Sequence, residues 1–359
     1  METISAPMSL PGGVWSGWSV SEARGSLCDH VATHVWYPRR PIRGHRWALP
    51  IDAYNHPVAK RPSLDPIQQP SLFGLDKPPE PASQPSAERP FHLPCILLGT
   101  SSFTARGWEA SFYPQGMRSR NFLSYYATQF ATVEIDSTFY GTPSASTVAG
   151  WNDETPPDFV FAVKVPQVIT HEKILVGCEP EFDEFMERMS LLGGKLGPML
   201  LQFPKFDKWT LKSSHEIVAR LRSFLKRVPD RKTLRFAVEI RNKNWLDARF
   251  TDLLREHNVA LALTDSSFMP RPWEMKDEFD PITDNFAYVR WLGDRRGIEE
   301  QTTTWDRTIV DRREDLTNWV EVFRQFVARN LKVFAYANNH YAGHGPATVK
   351  LFWELYNHK

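Results

Sequence analysis

Six stretches of this chain repeat one pattern, a short β-type apolar run that turns polar or charged at its C-terminal end. Residues 132–135 carry Glu134 and deliver Asp136; 159–163 deliver Lys164; 199–203 bring Gln202; 234–240 carry Glu239 and deliver Arg241; 259–263 deliver Asp265; 286–289 deliver Arg290. Nearly continuous apolar runs are strands covered on both faces, as in a parallel sheet, and charge at the strand exits places a site outside the carboxyl ends. A chain written this way has few architectures open to it.

Between these runs the apolar period lengthens from two to about 3.6, the helical value. Phe122, Leu123, Tyr126 and Phe130 form one helical stripe; Phe182, Phe185, Met186 and Met189 a second; Ile217, Val218, Leu221, Phe224 and Leu225 a third; Leu316, Trp319, Val320, Phe323 and Phe326 a fourth. These aromatics and methionines read as core, not as a cofactor box. A further apolar run at 95–98 ends in Gly99-Thr100-Ser101-Ser102, and one at 332–337 exits into Asn338-Asn339-His340-Tyr341. Eight strands, each followed by a helix, over residues 93–359 predict an α/β (β/α)8 TIM-type barrel. A doubly wound open sheet is the alternative. It lacks the G-x-G-x-x-G turn after its first strand, which also weakens a dinucleotide site.

Residues 1–92 read differently, because 14 of the 28 prolines fall there and proline at that density excludes long helices and central strands. The expected domain organisation is a Pro-rich, largely irregular N-terminal extension or linker over 1–92 and a barrel over 93–359. Trp15, Trp18, Trp36, Tyr37 and Trp47 lie near Arg39, Arg40, Arg43 and Arg46, a mixture that stacks on bases or sugars, or else belongs to a poorly ordered arm or an over-extended translation start. Overall charge is close to balanced, 43 basic against 42 acidic side chains, so no global field draws the chain to nucleic acid or membrane. Any anion site must be local. The three cysteines have no C-x-x-C spacing, no apolar run is long enough to span a bilayer, and the expected location is the cytosol.

Collected at one barrel face, the strand exits and following loops supply Glu134, Lys164, His171, Glu239 and Asp265 as candidate catalytic groups. Ser101, Trp108, Tyr140, Gln202, Arg241, Trp245, Arg290, Asn338 and Asn339 are candidates for holding a substrate. Buried charges persist when they are paired or when they bind something. Two readings follow: a self-satisfied network, such as Lys164 with Glu134 or Arg290 with Glu239, or a site for a small anionic or sugar-like or nucleotide-like substrate. In the second, the Arg forks and Lys164 hold phosphate or carboxylate, the carboxylates move a proton, and His171 is the group that titrates nearest neutrality. Imine formation at Lys164 is a further option. His171, Glu134, Glu239 and Asp265 have donor atoms that suit a divalent metal, but no local spacing ties them together, so the cofactor stays unknown. A binding module that holds nucleic acid or a protein partner through the cleft and the N-terminal arm is the competing class, and the balanced charge disfavours it.

The motifs G-T-S-S-F (99–103), V-E-I-D-S-T-F-Y (133–140), F-A-V-K-V-P (161–166) with Thr170-His171, L-Q-F-P (201–204), V-E-I-R-N-K-N-W (238–245), T-D-S (264–266), Y-V-R-W-L-G (288–293) and Y-A-N-N-H-Y-A-G (336–343) occur in one order. Together they resemble the YecE-like family, a domain of unknown function, over roughly residues 95 to 355. The resemblance implies a TIM barrel similar to the xylose-isomerase and endonuclease-IV types, with no settled reaction. This chain departs from the family pattern at Asp136, where Asn is usual, and at Leu292, where His is frequent.

Overall fold

A computed structural model describes residues 89–359 apart from 92, 229–232, 276, 277 and 359. Most of the predicted extension, with its Trp/Arg-rich stretch, lies outside the described residues. Eight strands follow in chain order: β1 Ile96–Thr100, β2 Thr132–Ile135, β3 Val160–Lys164, β4 Leu196–Gln202, β5 Phe236–Glu239, β6 Ala260–Ser266, β7 Phe286–Gly293 and β8 Lys332–Ala337. All neighbouring strands are parallel, in the order β1-β8-β7-β6-β5-β4-β3-β2. The predicted (β/α)8 barrel is the observed fold.

Helices α1 Phe122–Gln129, α2 Ala145–Asp153, α3 Glu179–Ser190, α4 Ser214–Arg227 and α5 Ala248–Glu256 follow the first five strands. Local chemistry sets several of their starts. Asp247 accepts from the Phe250 N–H at 2.9 Å, and Ser144 from the Thr147 N–H at 3.2 Å, each satisfying a first-turn donor that has no partner inside the helix. The rule of a helix after every strand weakens at β6, which leads only to the four-residue α6 Pro272–Met275, because Pro270, Pro272 and Pro281 interrupt the segment. After β7 come the short α7 Arg295–Glu299 and then α8 Arg313–Ala328, whose Leu316, Trp319, Val320, Phe323 and Phe326 are all buried as the stripe predicts. After β8 come α9 Asn339–Ala342 and α10 Gly345–Asn357. Among the described residues no helix is long and apolar enough to cross a membrane.

Side chains alternate along the strands, with register shifts only at Phe161/Val163 and Asp265/Ser266, and the alternation fixes the site. Leu97, Ala162, Leu200, Ala237, Ala260, Ala262, Phe286, Tyr288, Phe334 and Tyr336 meet in a separate cluster that fills the lumen. Small residues on β3, β5 and β6 face large rings on β7 and β8, and only that complement fills a tapering barrel. One step up each strand, at the same parity, stand Glu134, Lys164, Gln202, Glu239, Thr264 and Arg290. Arg89 and Phe91 pack at the other end: Arg89 binds the Ala127 carbonyl and Asp158, and Phe91 stacks on Phe130 at 5.5 Å.

The ladder is open only between β1 and β2, where a side chain substitutes for it. The buried Tyr126 hydroxyl of α1 accepts from the Thr100 N–H at 2.8 Å and donates to the Thr132 carbonyl at 3.2 Å. The two backbones approach this closely because Gly99 has no side chain; a Cβ there would lie 2.1 Å from the Thr132 oxygen. Gly99→Ala must therefore part the seam. The expected cost is about 1–3 kcal/mol, the usual range for overpacking, read as a lower denaturation midpoint at unchanged denaturant slope. A variant as stable as the parent would show that the seam is not tight.

Candidate functional site

Arg290 stands at the centre of the polar layer. Its Nε and Nη2 donate to Glu134 Oε1 at 3.2 and 2.7 Å, and its Nη1 donates to Glu239 Oε2 at 2.6 Å. Tyr288, two residues earlier on β7, donates its hydroxyl to Glu134 Oε2 at 2.6 Å, and Arg241 donates to Glu239 Oε1 at 3.1 Å. Both carboxylates are essentially inaccessible, so every charge in this layer is compensated by a neighbour, as burial requires. Burial alone pushes the Glu239 carboxyl up, but the Arg290 and Arg241 guanidiniums outweigh it and hold it below its ordinary value. Burial likewise raises the Tyr288 hydroxyl far above its usual value, with the Glu134 carboxylate adding to the effect, so Tyr288 remains a donor.

Above this layer opens a cavity of about 580 Å³, lined among others by Asp136, Phe139, Lys164, His171, Arg241, Phe268 and Arg290. Lys164 pairs with Asp136 at 2.9 Å, not with Glu134, and its ammonium lies 3.9 Å from the centre of the Phe139 ring. Burial pushes the Lys164 amine below its ordinary value; Asp136 opposes that shift and Arg290 adds to it. His171 is carried by a single π-helical turn, Val168–Glu172, with Nδ1 at 2.9 Å from the Thr170 hydroxyl and its ring edge-on to Phe139. Burial, then Lys164 and Arg241, drive its pKa down to about 4. The expectation of a histidine titrating nearest neutrality is corrected accordingly: burial, Lys164 and Arg241 together outweigh Glu239, which pulls the other way, and hold His171 below its ordinary value. A proton-shift titration by NMR is expected to show a midpoint near 4, moving upward when an anion occupies the cavity; a midpoint near 6.5 would mean that the ring is solvated.

The remaining candidates divide. Gln202 lines the cavity and donates its amide to the Phe203 carbonyl at 2.5 Å, and Tyr140 stands exposed at the rim. Asn338 lines the cavity too and caps α9 by accepting from the His340 N–H at 3.0 Å. Ser101, Trp108 and Asn339 line a smaller adjoining lobe. Trp245 is instead buried against Phe206 at 5.6 Å and acts as packing.

Asp265 also lies elsewhere. Its parity is opposite to that of Ala260 and Ala262, so it points out of the barrel, where it accepts from Trp319 Nε1 and the Tyr341 hydroxyl at 2.8 Å each and from Arg271 at 2.9 Å. It anchors α8 and α9 to β6. Sequence reasoning missed Tyr288, Phe268 and His340. Tyr288 could have been found, since it shares the parity of Arg290; Phe268 sits on a loop and His340 on the four-residue α9, too short to show a period. Among the described residues no group of three or more His, Cys, Asp or Glu side chains is placed to hold a metal ion.

Fold and rim together define a (β/α)8 barrel protein with a cation-lined mouth at the carboxyl ends of its strands. The chain belongs to the family described as protein of unknown function DUF72, whose model matches residues 97–359, in accord with the YecE-like resemblance. It is 38% identical over 82 residues to the UPF0759 protein YecE of Escherichia coli (strain K12), covering 23% of this chain and 30% of the relative. It is 33% identical over 153 residues to the UPF0759 protein YunF of Bacillus subtilis (strain 168), covering 40% of this chain and 51% of the relative. The chain thus matches between about a third and a half of the length of these curated relatives. In structure it is similar to a DUF72 family protein from Thermotoga maritima MSB8, with a TM-score of 0.57, 25% identity, and 72% of this chain and 97% of that one covered. A DUF72 family protein from Enterococcus faecalis V583 gives a TM-score of 0.56 at 22% identity, with 74% of this chain and 96% of that one covered, and shares the fold.

Proposed function

We propose that the barrel mouth binds a small oxyanion-bearing substrate and carries out proton-transfer chemistry on it, in the cytosol that the scattered cysteines fit. One observation carries the reading: Lys164, Arg241 and Arg290 converge on one cavity with donors to spare. Arg290 uses three of its five N–H groups on Glu134 and Glu239, and Lys164 uses one of three on Asp136, among the described contacts. A forked guanidinium beside an ammonium matches the geometry and charge of phosphate or carboxylate.

Glu134 and Glu239 lie beneath Arg290 and take no direct part; their role is to hold the guanidinium. The groups positioned to move a proton are the Lys164–Asp136 pair and His171, the last as a neutral acceptor that a bound anion makes more basic. The test is calorimetric titration with inorganic phosphate and a panel of small phosphorylated and carboxylated compounds. Lys164→Met, which keeps the aliphatic stem, is expected to weaken binding by about ten- to a hundredfold, the value of one charged hydrogen bond, while thermal unfolding stays cooperative. A parent protein that binds no anion in the panel, or a folded Lys164→Met variant with undiminished affinity, rejects the reading.

A further inference from the structure

Lys164 does not have the surroundings of a lysine that merely pairs with an acid. It is the last residue of β3, so its stem is fixed by the barrel wall, and it lines the larger cavity with 9% of its side-chain surface exposed. Three groups act on its amine there. Asp136 Oδ1 stands 2.9 Å away, on a side chain that is itself 37% exposed; the centre of the Phe139 ring lies 3.9 Å from Nζ; and the Arg290 guanidinium repels the ammonium. Asp136 favours the charged form, but burial outweighs it and Arg290 adds to burial. A lysine held against an apolar ring, beside a second cation and in reach of a carboxylate that can take its proton, is a lysine prepared to act as a nucleophile.

His171 meets the same ring. Its imidazole is edge-on to Phe139 with the ring centres 4.9 Å apart, and its Nδ1 is occupied by the Thr170 hydroxyl, which leaves Nε2 without a hydrogen-bond partner among the described residues. The amine, the Asp136 carboxylate and this imidazole therefore line one cavity together with Arg241 and Arg290. Among the described contacts Arg241 commits only its Nε, to Glu239, so its remaining N–H groups are available to an anion.

We infer that Lys164 forms an imine with a small aldehyde or ketone that carries a carboxylate or a phosphate. The inference rests on the oxyanion reading of the cavity, with Arg241 and Arg290 holding the oxyanion. Asp136 takes a proton from the ammonium, and the amine lone pair forms a bond to the carbonyl carbon. The bond from that carbon to oxygen then breaks, and the oxygen leaves as water with two of the three ammonium protons, one of them returned by Asp136. The third proton stays on nitrogen, so the iminium carries the charge that the lysine carried and remains a cation beside the oxyanion. His171 Nε2 then accepts a proton from the carbon next to the iminium, whose C=N bond takes up the electron pair to give an enamine. Nothing is oxidised or reduced.

The full chain is incubated with pyruvate, dihydroxyacetone phosphate and glyceraldehyde phosphate, and with their uncharged counterparts acetone, dihydroxyacetone and glyceraldehyde, in the presence of cyanoborohydride, and the adduct is located by peptide mass mapping. The expected result is an adduct at Lys164 that forms at least about tenfold faster with an anionic carbonyl than with its uncharged counterpart and is slowed by inorganic phosphate. Asp136→Asn, which keeps a hydrogen-bonding side chain but no proton acceptor, should slow trapping about a hundredfold, and Lys164→Met should abolish it. If no anionic carbonyl is trapped, if exposed lysines such as Lys205 and Lys208 are labelled as fast as Lys164, or if Asp136→Asn is trapped at the parental rate, the imine mechanism is refuted, and calorimetric phosphate binding still upholds the oxyanion reading. If Lys164 is labelled equally fast by the uncharged compounds and phosphate has no effect, the oxyanion reading fails and this substrate class fails with it. Mapping on the parent protein locates the adduct without any variant, so a Lys164→Met chain that does not fold leaves the decision unchanged.

Discussion

Arg290→Met is expected to destabilise the barrel by about 3–5 kcal/mol, the cost of leaving buried charge without its partner. The variant removes two donors from Glu134 and one from Glu239, both inaccessible, leaving Glu134 only the Tyr288 hydroxyl and Glu239 only Arg241. The pH dependence should also weaken. In the parent protein the Glu239 carboxyl is held below its ordinary value, so its contribution is complete above the ordinary carboxylate range and is lost as pH falls through its folded value. In the variant Arg241 remains on Glu239 but Arg290 no longer opposes burial, so the folded value rises and less stability is lost as pH falls. Urea denaturation at several acid pH values should therefore give a shallower slope for the variant than for the parent. A triple variant, Glu134→Gln, Glu239→Gln and Arg290→Met, should recover much of the loss. Parallel pH slopes for parent and Arg290→Met would mean that solvent reaches the carboxylates.

Gly293→Ala should cost about 2–5 kcal/mol, for two reasons that add. The residue has φ of +69°, a conformation that costs a side chain roughly 1–2 kcal/mol. A Cβ there would also lie 2.4 Å from the His340 carbonyl oxygen and 2.6 Å from the Tyr341 Cα, backbone atoms that move only if α9 moves, and overpacking of that kind adds about 1–3 kcal/mol. Gly177 is the control: its φ is +61° but nothing stands within 4 Å of its Cβ position, so Gly177→Ala should show the conformational part alone. Equal losses at the two positions would eliminate close packing of β7 against α9 as a cause. Because Gly293, Asn338 and His340 all line the cavity, the Gly293 variant should in addition weaken anion binding, and the Gly177 variant should not.

The barrel was readable because its signals are local. Each strand's apolar run and each helix's stripe lies within a window of a dozen residues, and all five residues of the α8 stripe are buried, with Val322 added beside them. The polar layer was only half readable. Glu134, Lys164, Gln202, Glu239 and Arg290 share the inward parity and meet at the mouth, but position at the end of a strand also nominated Asp265, which has the outward parity. The Ala260 and Ala262 pair marks the lumen side of β6, and counting two residues on from Ala262 gives Thr264.

From the linear chain alone came the strands, their polar exits and the common rim toward which those exits point, since strand alternation and helical period are properties of neighbouring residues. Closure of the barrel decided the rest. Glu134 and Arg290 are 156 residues apart, and no period along the chain records that Arg290 would bind both carboxylates from above, leaving Lys164 to Asp136 and making His171 a weak base. Pairing across a lumen depends on distances that exist only once the strands have come together, and charge strength depends on the water that closure removes.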